Sequence, residues 1–175
     1  MKKIQSTIKT LIMESAKFSP LSDEMAKLMD ETLKKELSNN MRFACMQAIT
    51  NPNNGLKAEA MAMEIFEVAE YYPNASGKIA PDLLLKDGKT IQVKYHGGEV
   101  NAKENELIKA INEDYSDYWL LVSANFKGLA LITKMQLLEK ASEMFTFKGG
   151  KYRINVSESL LMKNFGAEYK RIEAV

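Results

Sequence analysis

Apolar residues recur at three- and four-residue spacing through the first fifty residues: Ile4, Ile8, Leu11 and Ile12, then Met25, Leu28, Met29 and Leu33 after a break at Ser19, Pro20 and Ser22. That period predicts amphipathic helices, with a third short one from Met41 to Ile49 after the breaker Ser38, Asn39, Asn40. The turn-rich run Asn51-Pro52-Asn53-Asn54-Gly55 separates this N-terminal helical extension (residues 1–50) from a main fold (residues 51–175). A helix rich in Ala, Met and Glu is expected from Leu56 to about Tyr71, stopped by Pro73 and Gly77.

The pattern then changes to that of strands. Pro81 to Leu85 and Lys89 to Tyr95 flank Lys86-Asp87-Gly88, a hairpin signal. Asn101 and Glu104 form a capping-box pattern opening a helix to about Asp114, and Tyr118 to Ser123 and Gly128 to Ile132 read as strands. A second capping box, Thr133 with Gln136, heads a helix over Met135 to Met144. Lys151 to Val156 reads as a strand and Ser157 to Phe165 as a short helix. The fold class is α/β (α+β), a central mixed sheet flanked by helices.

The hairpin's register follows from its alternation. A two-residue loop at Asp87-Gly88 would set Leu83 against Gln92 and Asp82 against Val93, mixing apolar and polar residues on both faces. A three-residue loop with Gly88 left-handed pairs Leu83 with Ile91 and Asp82 with Gln92 instead. One face then carries Leu83, Leu85, Ile91, Val93 and Tyr95. The other carries Asp82, Gln92 and Lys94.

Composition narrows the classes without naming a function. With 46% hydrophobic residues and 27% charged ones the chain falls among ordinary soluble globular proteins. The net charge of +1 supplies no global field toward DNA or an anionic membrane, so nucleic-acid contact requires a local patch. One cysteine, Cys45, excludes an internal disulfide framework and a thiolate cluster for zinc. It reads as a small buried residue, in keeping with a reducing cytoplasm. Gln5, Ser6, Thr7 and Lys9 interrupt any signal-peptide core after Met1-Lys2-Lys3. No stretch is apolar enough to span a bilayer, so a cytoplasmic location is expected.

Opposed side chains in an antiparallel pair lie roughly 5 Å apart, so Asp82 and Gln92 can share one hard cation through oxygen atoms, with Lys94 aimed into the same space. A cation so held activates water and neutralises phosphate charge, and an adjacent ammonium stabilises the transition state of phosphodiester hydrolysis. The plainer alternative is an exposed strand face on which acid, amide and amine are solvated.

The segment from Pro81 and Asp82 to Gln92 and Lys94 resembles the PD-(D/E)XK nuclease superfamily, and the glutamine variant is similar to Mrr-like restriction endonucleases. The resemblance implies a restriction-endonuclease-like core ordered helix, three strands, helix, strand, compatible with residues from about 51 to about 147. It implies that Asp82 binds metal, that Gln92 takes the place of the second acidic ligand and that Lys94 is the catalytic lysine. It also implies a glutamate from the first helix, for which Glu59 is the candidate because it shares a side with Ala62, Met63 and Phe66. Glu64, Glu67 and Glu70 read as a solvated face. The expected activity is Mg²⁺- or Mn²⁺-dependent cleavage of DNA, with a homodimer able to address both strands. The alternative is an inactive nuclease-like fold serving as a DNA-binding or protein-interaction module.

His96, the single histidine, is a secondary candidate for phosphate contact or base catalysis, set against an inconsequential turn position. Gly97-Gly98 and Gly149-Gly150 lack the context of a nucleotide-binding loop and read as turns. Lys103, Lys109, Lys148, Lys151 and Arg153 could neutralise phosphates along a groove or simply be solvated.

Overall fold

The structure, a computed structural model, describes residues 53–72 and 81–172. The expected N-terminal helices and Cys45 lie outside the described residues, as do the stop signals Pro73 and Gly77.

Helix α1 (Asn54–Ile65) begins inside the turn-rich run, two residues before the expected Leu56: the Asn53 side chain caps it by accepting from the amides of Gly55 and Leu56. It stops six residues earlier than expected. Phe66 is extended, and Val68–Tyr71 forms strand β1, whose outer residues Val68 and Tyr71 are buried while Ala69 and Glu70 are exposed. Pairing with the next strand overrides the helical preference of Ala69 and Glu70, so Glu67 and Glu70 are exposed but not helical.

Strands β2 (Leu83–Leu85) and β3 (Thr90–Tyr95) form the expected hairpin with Leu83 opposite Ile91. The Leu85 amide donates to the Lys89 carbonyl, leaving a three-residue loop in which Gly88 is left-handed at φ +85°. Strand β4 (Glu99–Val100) follows the turn at His96 to Gly98. The capping box at Asn101 is not used: Asn105 turns left-handed (φ +68°), and helix α2 (Leu107–Glu113) starts later without a side-chain cap.

Strands β5 (Tyr118–Val122) and β6 (Gly128–Thr133) match the expected pair. Thr133 and Gln136 do form a reciprocal capping box on helix α3 (Lys134–Glu139), but Lys140 leaves the helical region and a separate turn, α4 (Ala141–Met144), follows. The hairpin β7 (Phe145–Lys148) and β8 (Lys151–Ile154), helix α5 (Glu158–Asn164) and strand β9 (Tyr169–Arg171) complete the described chain.

The central sheet has the order β1-β2-β3-β5-β6-β9, with β3 and β5 parallel and every other pair antiparallel, and a smaller sheet has the order β4-β8-β7. Alternation sends Leu83, Ile91, Val93, Leu120 and Val122 to one face, packed against Ala58, Met61 and Ala62 of α1. Trp119, Leu121, Ala130 and Ile132 point to the other, against Ile111 of α2, Leu137 of α3, Ile154 of β8 and Leu161 of α5. This is a mixed sheet flanked by helices. Among the described residues no helix is long and apolar enough to cross a membrane.

Candidate active site

Asp82 sits immediately before β2, where the chain enters the sheet. Its amide donates to the Ile91 carbonyl and its carbonyl accepts from the Tyr72 amide, each at 2.9 Å. The backbone is thus pinned between β1 and β3, and the side chain is 5% exposed. Oδ2 accepts from Gln92 Nε2 at 2.5 Å and from the Val93 amide at 2.7 Å. Oδ1 accepts no hydrogen bond among the described residues, which leaves it available to a cation.

Asp82 lacks enough positive charge around it. Burial pushes its carboxyl up to about 7, the nearby Glu59 carboxylate pushes the same way, and Lys94 and the Val93 amide pull back only in part. Asp114, itself buried, adds a weaker upward push.

Glu59 comes from α1, on the face opposite to Gln92 and Lys94. Its carboxylate nonetheless lies within electrostatic reach of both Asp82 and Lys94. Burial raises its pKa, while a 2.5 Å hydrogen bond from the Tyr71 hydroxyl and the Lys94 charge lower it. Tyr71 occupies Oε2 and fixes the carboxylate's orientation. Sequence reasoning missed Tyr71 by extending the helix through it; the aromatic pair Tyr71-Tyr72 was the available strand signal.

Gln92 is 6% exposed and stands in register with Trp119 of the neighbouring parallel strand. With Nε2 donating to Asp82, its Oε1 is left to act as a neutral ligand. A carboxylate in this place would meet Asp82 at hydrogen-bond distance as a like charge; the amide removes that repulsion. Lys94 is half-buried, and its Cδ lies 3.5 Å from the position a Cβ on Gly98 would occupy. That is an ordinary contact; what demands glycine at position 98 is the Tyr95 carbonyl oxygen, 2.9 Å from the same Cβ position.

The structure thus brings Asp82 and Gln92 into contact and sets Glu59 and Lys94 within electrostatic reach of Asp82. His96 stands slightly apart: its exposed ring accepts the Val156 amide on Nδ1 at 3.0 Å, so the neutral ring carries its proton on Nε2. Two buried groups, Nε1 of Trp119, the residue in register with Gln92, and Ser116 Oγ in the segment before β5, have no hydrogen-bond partner among the described residues. Lys103 and Lys109 are exposed, the latter 3.9 Å from Glu113 within α2. Lys148, Lys151 and Arg153 lie on the β7–β8 hairpin.

No three of His, Cys, Asp and Glu gather among the described residues. The candidate donors are instead two carboxylates and one amide oxygen, a hard-oxygen set that carries two negative charges against the ammonium of Lys94 once both carboxyls are ionised. That set fits a hard divalent cation such as Mg²⁺, which accepts few protein oxygens and completes its shell with water. The chain matches no protein-family model and no curated protein sequence.

Proposed function

We propose that this protein is a metal-dependent nuclease that hydrolyses DNA phosphodiester bonds at the site formed by Glu59, Asp82, Gln92 and Lys94. One observation carries the reading. A helix and a strand pair, remote from each other in sequence at Glu59 and Asp82, converge on a buried acidic spot that a single lysine only partly neutralises. Apart from the short β4, which belongs to the small sheet, the order of helix α1, strands β1 to β3, helix α2 and strand β5 is compatible with the order the PD-(D/E)XK resemblance implies and supports this reading.

Glu59, Asp82 and Gln92 would hold a divalent ion, Mg²⁺ or Mn²⁺. When bound, such an ion supplies Lewis acidity toward the phosphodiester and favours the ionised form of Asp82. Tyr71 holds Glu59 in one orientation, and Gln92 holds Asp82. Lys94 presents N–H donors that orient the attacking water and offset the charge building on the phosphoryl oxygens. His96 directs no group inward through Nδ1, which Val156 occupies; its Nε2–H is a donor toward solvent and any bound phosphate.

A second reading has its own observation. The hydrogen bonds from Gln92 and Val93 satisfy Asp82 Oδ2 without any cation, as a nuclease-like fold serving only to bind DNA or protein would require. Cleavage of supercoiled, linear and branched DNA in Mg²⁺, with Asp82→Ala and Lys94→Ala beside the parent, separates the two. The parent is expected to cut and each variant to lose roughly 100-fold or more in rate. Unchanged cleavage in either variant overturns the site, and no cleavage by the parent on any of the three DNAs favours the second reading.

A further inference from the structure

The small sheet next to Lys94 has two unlike faces. Phe145, Tyr152 and Ile154 pack inward, and the Phe147 and Tyr152 rings meet at 5.0 Å. The outward face carries Thr146, Lys148, Lys151 and Arg153, all exposed, with Glu99 of β4 beside them. Three cations meet one carboxylate there. Glu99 binds Lys151 at 2.8 Å and Arg153 at 3.2 Å, whereas Lys148 has no ion-pair partner among the described residues.

Lys148 and Lys151 are direct cross-strand partners. Like charges in that position destabilise a strand pair, and Gly149 and Gly150, both left-handed (φ +64° and +78°), close the turn tightly between them. Glu99 offsets one of the three cations, so the exposed face keeps a net charge of about +2, with Lys148 turned to solvent.

The face is also joined rigidly to the candidate active site. The Gly97 amide donates to the Ile154 carbonyl at 2.8 Å, and the Ile154 amide donates to the Gly98 carbonyl at 2.9 Å. Gly98 is the residue over which the Lys94 stem passes. The Tyr152 hydroxyl accepts the Asn105 amide at 2.9 Å and ties the hairpin to the loop before α2. From Arg153 to Lys151 the strand extends roughly 7 Å, comparable to the spacing of successive phosphates along one DNA strand.

We infer that the β7–β8 hairpin is a phosphate-gripping wing that holds the backbone of duplex DNA beside Lys94 through Lys148, Lys151 and Arg153. This rests on the phosphodiester reading of the Asp82 site and names the surface that presents its substrate. The contacts are to backbone charge, so the wing contributes affinity and position without sequence selectivity.

The test is fluorescence anisotropy of a labelled DNA duplex across a salt series in Ca²⁺, using the full chain, Lys148→Gln/Lys151→Gln, Lys148→Glu and, on the far edge strand β9, Lys170→Gln. The double variant is expected to bind about tenfold more weakly, with the slope of log affinity against log salt reduced by about 2. Lys170→Gln should match the parent. Lys148→Glu should weaken binding while leaving the melting temperature equal or higher, because a Glu opposite Lys151 replaces repulsion with attraction. Affinity and slope unchanged in the double variant, with Mg²⁺-dependent cleavage intact in the parent, would overturn the wing and leave the nuclease reading standing. Loss of binding in the double variant, with no cleavage by the parent, would support the wing and contradict the nuclease reading. Tighter binding of single-stranded RNA than of duplex DNA, or no DNA binding by the parent, would also overturn it.

Discussion

At the scale of single residues, the neutral amide of Gln92 changes what the neighbouring aspartate must do. Asp82 carries the site's buried charge beside Glu59, and its carboxyl stands at about 7 where an ordinary aspartate has 3.8. Between those values the folded chain binds the proton more tightly than the unfolded chain. The stability that this group contributes is therefore fully present below about pH 4 and is lost as pH rises through about 7. Glu59, raised mainly by burial, acts in the same direction. Asp82→Asn keeps an oxygen for the Val93 amide and loses the ionisation, so it should flatten this decline. In chelator at pH 8 its unfolding free energy should exceed the parent's by on the order of a few kcal/mol, so that it melts at a higher temperature. Thermal denaturation from pH 4 to 8 reads this directly, and a parallel decline in both proteins would contradict it. Of these residues, Asp82, Gln92 and Lys94 were legible as types at a spacing, and Glu59 only as the helix glutamate that the family resemblance implies. The burial of Asp82, the Tyr71 hydrogen bond and the Asp114 charge were not, because each depends on elements distant in sequence.

At the scale of elements, the hairpin was the most legible part of the chain because only one register separates apolar from polar residues. Leu83 against Ile91 and the left-handed Gly88 are what that separation requires. Gly88→Ala should lose roughly 1–2 kcal/mol in urea denaturation, since a Cβ is strained at that φ although nothing crowds it, whereas Gly88→Asn should lose less. Equal stability of Ala and Gly at this position would mean that the turn is not held left-handed. The elements that escaped prediction share one cause. Strands β1, β4, β7 and β9 are two to four residues long and owe their form to partners elsewhere in the chain. The capping pattern at Asn101 failed for a related reason: the Asn105 amide binds the Tyr152 hydroxyl 47 residues away.

At the scale of the whole molecule, the mixed sheet divides the apolar residues into two cores, one under α1 and one under the remaining helices and the small sheet. The sequence order of helices and strands indicated a central mixed sheet, but which face each helix covers is set by crossovers that periodicity does not encode. That division matters to the site. Glu59 belongs to the layer on one face, while Gln92 and Lys94 point to the other, and Asp82 lies at the strand entrance where the two meet electrostatically. A cation bound there would join the two layers and should appear as binding before any DNA is added. The direct measurement is a Mn²⁺ titration followed by the electron-paramagnetic signal of the free ion, on the parent and Asp82→Asn at pH 7.5. The account predicts about one Mn²⁺ taken up per parent chain and uptake weakened at least roughly tenfold by the substitution. Equal uptake by the two proteins, or none by the parent, would contradict it.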